Sequence, residues 1–387
     1  MIQIQQIIIP FLVAIISTLW IHPKVLKIAK MKNIVDNPDA RKLQRRPTPV
    51  MGGVAVFFGI ILGLSSSQII LVNYIFIYVA AMIVLLYIGT MDDILNLSPK
   101  LRFSFEIAVI AIIILVTDNS ISNFYGLWSI YEIPTWFSVP LTIFSAVGII
   151  NGINLIDGVN GLSTGFCIMA SVLFGIFFYI TDNIAMLIIA ASVIGAVIPF
   201  FLHNVFGNET RMFIGDGGSL MIGVIMSLFI MDILSACSSH SIAIDGNVGL
   251  VPFCLAVMSI PVFDTVRVMS QRILRGVSPF HADKTHLHHM FISLGFSHIG
   301  TTMSILSLNM SVVLIWWASY LLGASIDIQL YIVLCLSILC TFVLYAVVEY
   351  KKKKESRTIK IFNKIGEVTH FEKKGIWKTT ERLIDKI

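Results

Sequence analysis

The chain alternates long apolar runs with short polar stretches. A helix needs roughly 20 mostly apolar residues to cross a bilayer. Eleven runs meet or approach that length, at 3–21, 52–70, 72–90, 104–118, 136–153, 162–181, 184–202, 218–236, 249–266, 301–322 and 327–348. No fixed-period repeat and no low-complexity segment interrupts them. The pattern predicts an all-α, polytopic membrane protein with about eleven transmembrane helices. Residues 1–348 make the bundle and residues 349–387 a tail outside it. Pro199 and Pro261 fall inside apolar runs and are expected to bend their helices, because each removes a backbone donor.

The charges sort by side. All 27 Lys and Arg lie in five stretches: 22–50, 91–103, 203–217, 267–300 and 349–387. Basic residues favour the cytoplasmic side of a bilayer, so these stretches are expected there, together with the uncharged-by-base connection 150–161. The alternate connections, Asp182-Asn183, 119–135 and 238–247, hold no Lys or Arg. An odd number of helices then leaves the N-terminus outside and the tail in the cytoplasm. The first 21 residues lack a basic leader and an A-x-A site, so they read as an uncleaved first helix.

Composition agrees. The chain is 57% hydrophobic and 13% charged, where soluble proteins carry about a quarter charged residues. Its mean hydropathy is +0.89. The net charge of +5 belongs to the tail, with 12 basic and 6 acidic residues against 15 and 16 in the rest. That distribution argues against a nucleic-acid surface. The run Lys351-Lys352-Lys353-Lys354 suits either anionic lipid headgroups or a plain stop-transfer flank. The five cysteines form no C-x-x-C pair and imply no disulfide framework or zinc site.

Four polar clusters fall on the predicted cytoplasmic side, where ionisable groups at membrane depth point to use. Asp92-Asp93 ends the third run; two adjacent carboxylates stay ionised only beside a cation or donors. Lys100 and Arg102 follow and could meet phosphates. The stretch N-G-I-N-L-I-D-G-V-N-G-L (151–162) gathers Asn154 and Asp157, hard oxygen donors suited to Mg²⁺, among glycines that admit close backbone approach. In R-M-F-I-G-D-G-G-S-L (211–220), Asp216 stands at a helix start suited to phosphate, either as a metal ligand or as an N-cap. Phe213 precedes it and could stack on a base. The last cluster, S-P-F-H-A-D-K-T-H-L-H-H (278–289), holds His281, His286, His288 and His289, with Arg267, Arg272 and Arg275 upstream. It suits a polyanionic substrate. Asp264 aims from a Pro-bent helix toward it, whereas Glu106 reads as a helix-dipole partner and His22 and His203 as interfacial or core residues.

These motifs, in this order, resemble the polyprenyl-phosphate N-acetylhexosamine-1-phosphate transferase family, glycosyltransferase family 4. The likeness runs from D-D through N-x-x-D-G and F-x-G-D-x-G-S to H-x-H-H, and covers residues 1–348. The Pro- and Gly-rich lead 37–53 is similar as well. The peptidoglycan branch, which transfers phospho-N-acetylmuramoyl-pentapeptide, shows D-G-L-D-G and H-H-H-F-E. This chain has D-G-V-N-G (157–161) and H-L-H-H-M (286–290), and so resembles the branch that uses UDP-N-acetylglucosamine or a related UDP-N-acetylhexosamine. Such enzymes start O-antigen, common-antigen or wall-polymer synthesis. The resemblance implies Mg²⁺, with Mn²⁺ as the alternative metal, and undecaprenyl phosphate as acceptor at the inner face of a bacterial cytoplasmic membrane. It allows a homodimer. It further implies metal ligation by Asp216 and Asn154, and Asp92 or Asp93 taking a proton from the lipid phosphate or orienting it. Asp157 would support the site and Phe213 would stack on uracil. Lys100 would touch diphosphate, and Arg267 with His281, His286, His288 and His289 would bind nucleotide or sugar phosphate.

Three other classes fit less well. A cation-coupled transporter should carry its acids near the midplane, often within internal repeats. An intramembrane aspartyl protease lacks its first Gly here, because Phe213 stands in that place. A zinc hydrolase would need ligands beyond H-x-H-H, and no HExxH occurs.

Overall fold

The structure, a computed structural model, describes residues 4–36, 47–67, 74–236, 246–279, 283–354, 357–370 and 375–386. It is almost entirely helical. The elements run α1 (Gln5–Met31), β1 (Val35–Asp36), β2 (Thr48–Pro49), α2 (Gly52–Ser65), α3 (Ile75–Leu95) and α4 (Pro99–Thr117). A hairpin of β3 (Asn123–Leu127) and β4 (Ile130–Glu132) leads to α5 (Thr135–Ile156), α6 (Leu162–Ile180), α7 (Ile184–Phe206) and α8 (Gly215–Ile233). Then come α9 (Leu250–Val257), α10 (Ser259–Leu274), α11 (Leu287–Ser293), α12 (His298–Leu321) and α13 (Ile326–Ile338). A π-helical turn at Leu339–Val343 joins α13 to α14 (Leu344–Lys353), and the tail forms α15 (Arg357–Val368) and α16 (Gly375–Ile384).

Each of the eleven apolar runs falls on a helix or on the α9–α10 pair. Among the described residues, eight helices are long and apolar enough to cross a membrane, and nine if the bent pair counts as one span. The runs at 52–70 and 104–118 account for the difference from eleven. Helix α2 has only 14 residues, about 21 Å at 1.5 Å per residue. Helix α4 starts earlier than its apolar run, at Pro99, and so adds Lys100 and Arg102 to the Glu106 already in the run. Its start is set locally, by Pro99 at the first helical position and by the Ser98 hydroxyl accepting from Leu101 N at 3.3 Å.

The two interior prolines behave differently. Helix α7 continues across Pro199 from Ile184 to Phe206. Helices α9 and α10 meet at 72°. Pro261 cannot donate to the carbonyl of Val257, and Asn309 of α12 fills the gap. Its amide donates to Val257 O at 2.9 Å, while its Oδ1 accepts from Ile260 N and Ser259 Oγ, both at 3.0 Å. One buried side chain thereby satisfies the end of one helix and the start of the next.

Helix α8 is the axis of the bundle. All of its residues except Asp216 and Asp232 are buried, as expected of a helix that is apolar all round. Its first turn is small, which lets α2 and α3 come very close. A Cβ on Gly53 of α2 would lie 2.4 Å from the Gly218 Cα, and one on Gly89 of α3 would lie 2.4 Å from the Gly217 N. Neither neighbour atom belongs to a movable side chain. Gly89→Ala must therefore push α3 and α8 apart. We expect a loss of about 1–3 kcal/mol, typical of overpacking, seen as a lower unfolding temperature in detergent together with reduced activity.

Candidate active site

The close approach of α3 and α8 places two helix ends together. Asp93, in the last turn of α3, accepts from the backbone N of Asp216 at 3.0 Å, capping the start of α8 from a neighbouring helix. Gly215 is required beside it: its φ is +73°, and a Cβ there would sit 2.5 Å from Asp93 Oδ2. Asp216 itself is not the cap. Its carboxylate projects sideways, accepting from Asn154 Nδ2 at 2.8 Å, and Asn154 also donates to Ser219 Oγ at 2.9 Å. Asn154 thus presents its amide N–H to Asp216, orienting the carboxylate.

Arg102 stands between the acids. Its Nη1 lies 3.1 Å from Asp92 Oδ2 and 3.5 Å from Asp216 Oδ2, and its Nη2 donates to Asn151 Oδ1 at 3.4 Å. Beneath it, the fully buried Glu106 lies 3.5 Å from Arg102 Nε and accepts from Asn151. The helix-dipole reading of Glu106 therefore gives way to a buried carboxyl group that holds the guanidinium in place. Lys100 lies on the exposed first turn of α4 and does not line the cavity; the helix turns Arg102, two residues on, toward the acids instead.

A cavity of about 490 Å³ opens above these groups. Asp92, Asp93, Asp157, Asp216, Phe213 and His289 all line it. Backbone pairing fixes Phe213, whose N donates to Pro49 O at 2.8 Å and whose O accepts from Gly52 N at 2.9 Å. Asp157 caps the end of α5 and accepts from the Ser163 hydroxyl. Enclosure by protein raises its carboxyl to about 7, against the Ser163 bond, with the nearby Asp216 charge adding to the rise.

The histidine cluster forms the opposite wall in layers. His286 and His288 are buried and stack with parallel rings, centroids 5.7 Å apart. His286 Nδ1 bonds Asp264 Oδ2 at 2.9 Å, as the direction of Asp264 suggested. His288 packs on Gly158, where a Cβ would lie 2.4 Å from its Nε2. Burial, followed by the neighbouring histidines, holds His288 well below the usual imidazole range. Burial and the adjacent His286 and Lys284 bring His289 to about 4. Both rings are neutral at pH 7, so they act as hydrogen-bonding groups there. Arg267 is fully buried away from the cavity. It donates to Asp264 Oδ1 at 2.6 Å and to Thr285 O at 2.6 Å, and lies over the Tyr345 ring. With its fork so engaged, it braces the histidine loop from behind. His281 lies outside the described residues.

Asn160 of the 151–162 stretch also lines the cavity, as do His298, Asn204 and Asp36, which no motif singled out. Asn160 closes the D-G-V-N stretch, and its N donates to His298 Nδ1 at 3.4 Å. His298 opens α12, and the only hint of it was a histidine just before the start of an apolar run. Donors from oxygen dominate the acidic side, which suits a hard divalent cation. Among the described residues no three acidic, histidine or cysteine side chains are arranged to hold an ion by themselves. Mg²⁺ commonly takes one or two carboxylates and completes its shell with water and substrate phosphates, so the donor set fits.

The fold and site together define a multi-pass membrane protein with an acidic, polar cavity at its helix ends. Residues 75–234 match the model of glycosyl transferase family 4. Among curated relatives, the chain is 28% identical over 342 residues to a probable undecaprenyl-phosphate N-acetylglucosaminyl 1-phosphate transferase of Bacillus subtilis (strain 168), covering 88% of this chain and 89% of that one. It is 28% identical over 278 residues to an undecaprenyl-phosphate alpha-N-acetylglucosaminyl 1-phosphate transferase of Escherichia coli (strain K12), with 70% and 72% covered. The Salmonella typhimurium protein of the same description is 29% identical over 280 residues, again with 70% and 72% covered.

The raised Asp157 carboxyl predicts a pH effect. The folded protein binds its proton more tightly than the unfolded chain, whose value is about 3.9. Its stabilising contribution is complete at pH 4 and is lost as pH rises through about 7. Between pH 5 and 8 the unfolding temperature of the wild type should therefore fall relative to that of Asp157→Asn. Parallel curves would mean that Asp157 is ionised throughout.

Proposed function

We propose that the protein transfers phospho-N-acetylglucosamine from UDP-N-acetylglucosamine to undecaprenyl phosphate at the cytoplasmic face of a bacterial inner membrane. The observation that carries this reading is the meeting of Asp92 and Asp216 on one guanidinium at the helix ends, with Asp93 and Asp157 lining the same open cavity. A site of this kind can serve a water-soluble nucleotide and a membrane-bound acceptor together. The names of the relatives support the acceptor and the sugar.

In this reaction an oxygen of the lipid phosphate bonds to the phosphorus that carries the sugar. The bond from that phosphorus to the bridging oxygen breaks, and UMP leaves with that oxygen. The second pKa of a phosphate monoester is about 6, so the acceptor is mostly a dianion near neutral pH. Asp92 and Asp93 then serve more to position it than to remove a proton. Arg102 offsets the repulsion between these carboxylates and the phosphates. Mg²⁺ would supply neutralisation of the diphosphate and of the leaving UMP. Asp216 and Asp92 would hold it, with Asn154 orienting Asp216. Phe213 would stack on the uracil, and the neutral His289, together with His298, would hydrogen-bond sugar or phosphate.

The test is UMP release by the purified protein in detergent, with undecaprenyl phosphate, a panel of UDP-sugars, and Mg²⁺ present or chelated. UMP from UDP-N-acetylglucosamine that requires both lipid and Mg²⁺ is the expected result. Absence of UMP from every sugar, with the protein shown folded, would overturn it. Asp216→Asn should lower turnover by about 100-fold, the scale of losing one preorganised electrostatic group. Arg102→Lys should lower it by about tenfold or more, since an ammonium cannot fork between two carboxylates.

A further inference from the structure

The tail folds back on the bundle instead of leaving it. Trp377 and Glu381 of α16 and Asp385, the residue just after its end, recur every four residues, and Asp385 N still donates to Glu381 O, so the three share one face. That face lies along the connection from α7 to α8. The Trp377 ring packs on Phe206 with centroids 4.7 Å apart. The Asp385 carboxylate accepts from the backbone N of Asn208 at 3.1 Å, Glu209 at 3.4 Å and Thr210 at 3.2 Å, and from Thr210 Oγ1 at 2.8 Å. Arg211 lies in the field of both Glu381 and Asp385. Although burial opposes ionisation of Asp385, these hydrogen bonds hold its carboxyl below the usual range. Thr210 is gripped from the other side too. Its carbonyl bonds His22 Nε2 at 2.9 Å and its hydroxyl bonds His203 Nδ1 at 3.0 Å. Three residues further on is Phe213, in the cavity wall.

Helix α15 and the residues after it hold the second wall. Ser297, the N-cap of α12, donates from its N to Thr369 Oγ1 at 3.0 Å and from its hydroxyl to Thr369 O at 2.6 Å. His370 Nε2 bonds Gly295 O at 3.0 Å. The fit is close on both sides: a Cβ on Gly366 would lie 2.6 Å from Leu294 O, and one on Gly300 would lie 2.3 Å from Thr369 Oγ1. The residue after Ser297 is His298, which lines the cavity.

We infer that the C-terminal segment is a positioning element of the active site, with Asp385 and Thr369 fixing the two connections that carry Phe213 and His298. A carboxylate that caps three successive backbone N–H groups orders a turn, as a helix cap does. The turn it orders enters the cavity wall. The segment touches no reacting atom in this account, so its effect falls on nucleotide binding, and this part rests on the proposed use of Phe213.

Asp385→Ala and Asp385→Asn in the full-length protein test it, by hydrogen exchange of residues 208–216 and by steady-state kinetics with UDP-N-acetylglucosamine. For Asp385→Ala, exchange at 208–216 should rise about tenfold, the size expected for losing charge-assisted hydrogen bonds. KM should rise roughly five- to tenfold with kcat within about twofold, because ordering is lost before chemistry. Asp385→Asn keeps an acceptor oxygen and should fall between the alanine variant and the wild type. Unchanged exchange at 208–216, or faster exchange confined to 375–387, would overturn the inference. Faster exchange at 208–216 with unaltered KM would overturn it as well. A folded wild type that turns over no UDP-sugar would remove the functional reading, and exchange at 211–216 would then decide the positioning role alone.

Discussion

The contact between the carboxylate of Asp93 and the backbone N of Asp216 is the joint on which the site is built. It joins the last turn of one helix to the first turn of another, where the second helix presents unpaired N–H groups and the positive end of its dipole. The joint can form only because Gly89 and Gly217 let the backbones meet. Everything that follows inherits that spacing. Asp92 and Asp216 come close enough to share one guanidinium, and Asn154 can reach Asp216 from α5.

So many acids gathered at one end of the bundle would be costly without compensation. The compensation is layered. Arg102 neutralises the group that lines the cavity, and the buried Glu106 with Asn151 anchors Arg102 from below. On the other wall the same logic uses one acid for two partners, because Asp264 binds both Arg267 and His286. Arg267 is used up in the bracing, which leaves the neutral imidazole of His289 facing the cavity. Acidic and neutral polar walls then enclose a space large enough for phosphates and a sugar.

The local punctuation of the chain works toward this geometry. Ser98 and Pro99 start α4 early enough that Arg102 lies on a rigid helix rather than in a loop. Asn309 allows a 72° break between α9 and α10, and α10 carries Asp264 and Arg267 to the histidine loop. The tail closes the arrangement from outside through Asp385 and Thr369. A protein whose site is made of helix ends depends on such caps, since the ends are where a helix has free hydrogen-bonding groups.

The helices, and the motif acids at their ends, were legible in the chain alone. Apolar run length reports directly on burial in lipid, and the spacing of Asp92-Asp93, Asn154, Asp157 and Asp216 placed each beside a run boundary. The tail was read as a charged appendage, since its amphipathic helices gain meaning only from the loops they cover. Which cation meets the acids was equally hidden. Lys100 and Arg102 look equivalent in one dimension, and only the rotation of α4 against α3 and α5 turns the second inward. Arg267 drew attention as a binding cation, but its surroundings commit it to Asp264 and the Thr285 carbonyl. The sequence by itself determined the apolar runs, the helix ends and the chemistry gathered at them, because these depend on local composition and period. The tertiary structure alone decided partners and directions, because they depend on how helices far apart in the chain rotate and pack against one another.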